Sequence, residues 1–435
     1  MQEGGDEQDV SRGRGNRGGG DDEAADRMLL SPQRMSASHV GAHVGARSAH
    51  GAVSLTDFLK MRERGGQRPP GHRFSHATSR KLPHVLKERQ LKGLERCDKI
   101  FASAWLDTER VMVGTKDNQL LVWDVRRDRH TCLPSHVSDG LRIGHCGIHS
   151  IAISPNGVIA SGAQAPQDIL LLAADTFRPQ ALLKGHSDWV FALAWLTPNL
   201  LVSGGRDSSV MLWDPRVEST PGLVHPTQVR MYHRDKVRDL KVNEQTAIFG
   251  TVSADGTIKF WDGENGDPLS SVTLEHKHDL VCMACDTDLN LFVVGSESHL
   301  QFVDPRAQGV QRIVDSLDPG GSVRSLTAQS HLLTVGTGRG TISFFDICAG
   351  RFLPIGREPD AGECSGDMWG GTHTVDYLTT GRGYLKQDEV FLLHFEGLDM
   401  RHTVYTHCYD PTYTKLFVGG GPLPVGLCGC YAAVW

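Results

Sequence analysis

An all-β fold, built as a closed ring of four-stranded units, is what this 435-residue sequence predicts, and three observations predict it. Short apolar runs end in Trp-Asp three times, at Val122-Trp123-Asp124, Leu212-Trp213-Asp214 and Phe260-Trp261-Asp262, with degenerate copies at Phe302-Val303-Asp304 and Phe344-Phe345-Asp346. From Trp213 the steps are 48, 42 and 42 residues, and Trp123 lies 90 residues, two units, upstream. A third sign is the set of 49 glycines, which suits many tight turns. A period in the 40s closing on Trp-Asp marks a blade of four antiparallel strands, so the chain reads as a seven-bladed WD-repeat β-propeller. An N-terminal helix-loop-helix segment and a disordered tail are expected ahead of it.

The tail comes first. Residues 1–53 are Gly-rich, then Ala/Ser/His-rich, with a net charge of −2. Such a stretch cannot bury enough apolar surface to offset the entropy of ordering. The acidic, Gly-rich start has no apolar stretch, so no secretory signal is expected. No run of 18 apolar residues exists, so no membrane span is expected either. Ten cysteines without a regular framework read as reduced thiols in an intracellular compartment. The expected location is cytoplasm and nucleus, with the centrosome as a further site.

Residues 54–97 carry a net charge of +7 against −11 for residues 98–435. Ser54 to Asp57 form a capping-box-like helix start, and Leu55, Phe58 and Leu59 follow at helical spacing. The helix should end at Gly65-Gly66. A second helix is expected over 82–91, with Leu82, Val85 and Leu86 on one stripe and Pro83 in its first turn. Two such short helices need a surface to dock on, on a partner or on the ring.

The blades follow, with inner strands starting near Phe101, Ile148, Val190, Val237, Val281, Val323 and Val404. Trp435 ends the last third strand, and an outer strand from near 87–97 would close the ring and remove a free edge. The second blade is degenerate, and residues 350–402 read as a decorated loop, not another blade.

Catalytic patterns are poor. Gly185-His186 with Asp207 and Trp213, and Asp255 with Trp261, read as the hydrogen-bonding residues that fix a repeat. The Gly336 to Gly340 run lacks the Lys-Ser/Thr of a phosphate loop. Cys282 and Cys285 have zinc spacing, but on a strand they point to opposite sides. No metal, cofactor or enzymatic activity is expected.

Cations are more telling. The residue after the first apolar position of each inner strand should face the narrow end of the channel, which names Phe101, His149, Phe191, Arg238, Cys282, Arg324 and Tyr405. Turns opening on the same face add Lys116 and Arg206, and Lys236 stands beside Arg238. Lys116, Arg206, Lys236, Arg238 and Arg324 would then form a substrate-binding rim on an otherwise acidic ring. Such a rim selects anions: acidic peptide, phosphopeptide and nucleic-acid phosphate all fit, though the acidic remainder disfavours nucleic acid.

Three runs end in Asp-x-Arg, at Arg126, Arg216 and Arg306, and resemble the box of cullin-4-associated WD-repeat receptors. Further stretches, among them Lys99 to Trp105, Asp188 to Trp195, Tyr405 to Asp410 and Lys415 to Pro424, are similar to the type-twelve branch of that family over about 54–435. The resemblance implies a substrate-recognition subunit of a cullin-4 RING ubiquitin ligase. It implies contacts to the damage-specific DNA-binding protein 1 adaptor through Leu55, Phe58, Leu59, Leu82, Leu86, Arg216 and Arg306. Substrates ending in Glu-Glu are implied for the basic rim. The loop after the third blade reads as short, and 350–402 departs from the family's pattern. A propeller scaffold or phosphopeptide reader outside any ligase is the alternative.

Overall fold

The computed structural model describes residues 79–133, 147–355 and 377–435, except positions 94, 96, 399 and 425. The expected tail and the helix at Leu55, Phe58 and Leu59 lie outside the described residues. Seven sheets follow one another along the chain. Their inner strands are Ile100–Trp105, Ile151–Ile153, Val190–Thr197, Val237–Asn243, Cys282–Asp286, Val323–Gln329 and His402–Tyr409, in blades one to seven.

Closure is visible in the core. Among the described residues seven buried apolar clusters occur, and each is shared by two neighbouring blades, the last joining blade seven back to blade one. Trp123, Trp213 and Trp261 end the third strands of blades one, three and four and are fully buried. Removing a side chain of that size costs about 3–5 kcal/mol. The blades also interlock through a repeated close fit. A methyl added to Gly114, Gly204, Gly295 or Gly336 would lie 2.5–2.6 Å from Ile148, Val237, Val323 or Val404, an apolar residue at or near the start of the next blade's inner strand.

Blade seven is assembled from distant parts. Its third strand Gly429–Val434 pairs on one side with Leu416–Pro422 and on the other with Arg89–Gln90. Tyr384–Leu385 continues that outer edge. The helix expected over 82–91 is instead one 3-10 turn, Leu82–His84, followed by that short strand. Glu88 explains the switch: its Oε1 accepts from the Tyr431 hydroxyl at 2.6 Å and the Gly381 amide at 2.9 Å. Tertiary pairing outweighs the weak preference of a ten-residue helix.

Two segments decorate the ring. Between the third and fourth strands of blade three, Val210–Trp213 and Gln228–Arg230, the chain folds into a hairpin, Glu218–Thr220 with Leu223–Val224, whose second strand pairs in parallel with Pro179–Leu183 and extends blade two. Within 350–402, Tyr377–Thr379 joins the outer edge of blade six, and Glu389–His394 is a short helix on the path into blade seven. The described part of the insertion completes existing blades.

Candidate functional site: the channel mouth

Five inner strands carry an irregularity in register at one residue near their start: Phe101, Phe191, Arg238, Arg324 and Tyr405 are each skipped by the pairing. A bulge leaves its extra residue unpaired and re-aims the side chain. These five, together with His149 and Cys282, line one cavity of about 360 Å³ on the channel axis. The seven positions named from the sequence therefore meet in one place, one from each blade.

The mouth is divided into two arcs. Tyr405, Phe101, His149 and Phe191, from blades seven, one, two and three, form a continuous aromatic wall, with centroids 5.2, 4.8 and 4.9 Å apart. Across blades four to six stand Arg238, Cys282 and Arg324. The Arg238 guanidinium lies 5.0 Å from the Phe191 ring and so joins the arcs. Burial, reinforced by repulsion from Arg324 and Arg206, lowers the Arg238 pKa from its ordinary value. The Nε of Arg324 is buried with no hydrogen-bond partner, while its Nη2 donates to Asp279 at 3.2 Å. A buried donor without an acceptor is costly.

The other three rim cations stand outside the cavity lining. Arg206 sits over Trp189, 5.1 Å from its ring, with Asp188 at 3.7 Å. Lys116 pairs with Asp98 at 2.8 Å on the blade-one side. Half-buried Lys236 leads into the inner strand of blade four beside Asp235. Arg206 and Arg324 both act on Arg238, whereas Lys116 acts on Lys99. The arginines thus form one group, and Lys116 stands apart from it on the blade-one side.

Sequence reasoning missed the counter-charges. Asp98, Asp188 and Asp235 each stand two residues before the first inner-strand apolar residue of blades one, three and four, and Asp279 stands three residues before Cys282, where the inner strand of blade five begins. That repeated position was the available signal. It also missed Lys241, deeper in the channel and paired with Asp239 at 2.8 Å.

On the opposite face, Arg216 and Arg306 adopt one geometry. Each guanidinium holds its own Asp in two bonds, 2.9 and 2.6 Å to Asp214 and 2.9 and 2.7 Å to Asp304. The arginine hydrogen bond chiefly pulls each carboxyl below its ordinary value. Both side chains are otherwise exposed. Leu82 and Leu86, assigned to the adaptor contact by resemblance, are buried at 6% and 4% exposure in the cluster between blades six and seven. Their side chains seat the segment on the ring, leaving Val85 exposed beside them.

Groups with catalytic or metal-binding patterns have structural partners. Ser203, His186 and Asp207 stand as in a hydrolase relay, at 2.7 and 2.9 Å, yet Ser203 is fully buried and also accepts from the Trp213 indole at 2.8 Å. Blade four repeats this with Thr251, His233 and Asp255, a histidine the sequence reading overlooked. Cys282 and Cys285 fall in different apolar clusters, and burial pushes both thiols up, Cys285 to about 12. Asp286, Asp288 and His331 come together among the described residues, but the Asp286–His331 bond of 3.0 Å ties blade five to blade six.

Repeated strands, buried third-strand tryptophans and His–Asp–Ser/Thr clamps define a WD-repeat β-propeller, here with a mouth of cations and aromatic rings. The sequence matches the family described as "DDB1- and CUL4-associated factor 12 beta propeller" over residues 82–222 and 215–435, and the chain belongs to that family. It is also similar to the WD-40 repeat-containing protein MSI4 of Arabidopsis thaliana, 30% identical over 172 residues. That match covers 33% of this chain and 34% of the relative, so the chain spans about a third of that relative's length. Among solved structures, that of U3-55K superposes with a TM-score of 0.57 at 14% identity, covering 80% of this chain and 98% of the other, a likeness of fold.

Proposed function

We propose that this protein is the substrate-recognition subunit of a cullin-4 RING ubiquitin ligase and captures proteins with acidic, Glu-Glu-type C-termini at the channel mouth. Family membership supports the ligase half of this reading. The observation that carries the other half is the pair Arg238 and Arg324, on blades four and six, lining a cavity with aromatic walls. A guanidinium offers a planar fork matched to carboxylate, and each charge-assisted bond contributes about 1.5–3 kcal/mol. Arg206, Lys236 and Lys116 extend the attraction outward. The protein's part is to bind and present; its own residues make no covalent step.

Contacts to the DDB1 adaptor are assigned to Arg216 and Arg306, pre-oriented by Asp214 and Asp304, and to Leu55, Phe58 and Leu59 ahead of the ring. Arg238→Glu should abolish capture of a peptide ending in Glu-Glu, measured by fluorescence polarisation, while the adaptor still co-purifies. Amidating the peptide's terminus should weaken binding to the wild type. Equal binding of acid and amide would remove the α-carboxylate from recognition. Charge reversal at Arg216 and Arg306 should lower adaptor recovery and leave peptide binding unchanged.

A further inference from the structure

Asp279 occupies a place in the mouth that an incoming carboxylate would need. It lies in the loop before the blade-five inner strand, between the blades that carry the two mouth arginines. Its Oδ2 accepts from Arg324 Nη2 at 3.2 Å and from Ser322 Oγ at 3.1 Å. Its charge also acts on Arg238, opposing the burial that depresses that guanidinium's pKa. The Asp279 side chain is 47% exposed and that of Arg324 is 19%, so the carboxylate stands on the solvent side of the guanidinium it holds.

From this we infer that Asp279 is an internal competitor for the mouth: in the free protein its carboxylate fills the anion position at Arg324, and an acidic ligand binds by displacing it. This rests on the carboxylate-receptor reading above. The consequence concerns charge count. A ligand with one carboxylate exchanges one arginine–carboxylate contact for another of the same kind, with little net gain. A ligand with several carboxylates replaces Asp279 and has others left for Arg238 and Arg206. Asp279 thereby sets an affinity threshold, the same cost for every anionic ligand, which a singly charged terminus has no remaining carboxylate to overcome. Arg206 with Asp188 and Lys116 with Asp98 repeat the pairing farther out, so the rim offers few bare cations to a weakly acidic chain.

The test uses the full-length protein and two peptides with free C-termini, one ending in Glu-Glu and one in Gln-Gln, titrated by fluorescence polarisation. Wild type should strongly prefer Glu-Glu. Asp279→Asn keeps the shape and removes the charge. It should tighten binding of both peptides by about fivefold, the upper range for an exposed ion pair, and so lift Gln-Gln toward measurable affinity. Asp279→Glu retains the charge and should retain the wild-type affinities. Matching thermal melts establish that all three proteins are folded. Unchanged or weaker binding by Asp279→Asn, or the same tightening in Asp279→Glu, overturns the role of Asp279 and leaves the receptor reading standing. If wild type and Asp279→Asn bind neither peptide, the receptor reading falls and this inference falls with it.

Discussion

At Ser203 one hydroxyl meets two demands, accepting from the Trp213 indole at 2.8 Å and donating to His186 Nε2 at 2.7 Å. The other imidazole nitrogen donates to Asp207 at 2.9 Å, and the hydrogen bonds Asp207 accepts outweigh burial and keep its carboxyl well below the usual range. Removing that hydroxyl orphans two buried groups. Ser203→Ala should therefore cost about 1–3 kcal/mol by urea unfolding, and Thr251→Val a similar amount in blade four. Histidines set a second expectation. Burial lowers His402 and His407 from 6.5 to about 4. A depressed pKa means the unfolded chain takes up protons first as the medium is acidified. Stability should be complete above about pH 6.5 and fall toward pH 4, by roughly 1.4 kcal/mol per pH unit for each group. Urea midpoints across that range check it, and His407→Gln should flatten the slope.

Strands lock together through small residues that accept the next blade. Gly204 leaves room for Val237, and a Cβ there would lie 2.6 Å from a Val237 methyl. Gly204→Ala should destabilise by about 1–3 kcal/mol, and adding Val237→Ala should recover part of the loss, a coupling that a double-mutant cycle in urea would measure. The bulges were partly legible. Counting one residue past the first apolar position named the seven mouth positions, because each repeat spends that position on the channel. What the count could not reveal is the pairing of each cation. Asp279 lies 45 positions from Arg324, and only the curvature of the ring brings them together. The helix expected at Leu82 and Leu86 failed for a related reason. Its local pattern is helical, but the groups that decide its shape, Tyr431 and Gly381, are supplied by the far end of the chain.

For the whole molecule, repetition made the architecture readable: three intact Trp-Asp sites and two relics were enough to set the period, and blade two needed only its neighbours' spacing. Decorations were not readable, since neither the hairpin on blade two nor the divided outer edge of blade seven follows the repeat. The ring as a unit yields another expectation. Removing residues 79–92 deletes the strand Arg89–Gln90 and the buried Leu82, Leu86 and Leu91. The shortened protein should melt at a lower temperature by calorimetry and expose the third strand of blade seven to proteolysis.

Glu88 and Tyr431 are 343 positions apart in sequence, yet they meet in the same blade. A ribosome must therefore synthesise nearly all of the intervening chain before that seam can be sewn. Until then the nascent protein holds an open strand edge that invites chaperones or neighbouring chains, and so distant a pairing makes the final stitch a slow step of maturation.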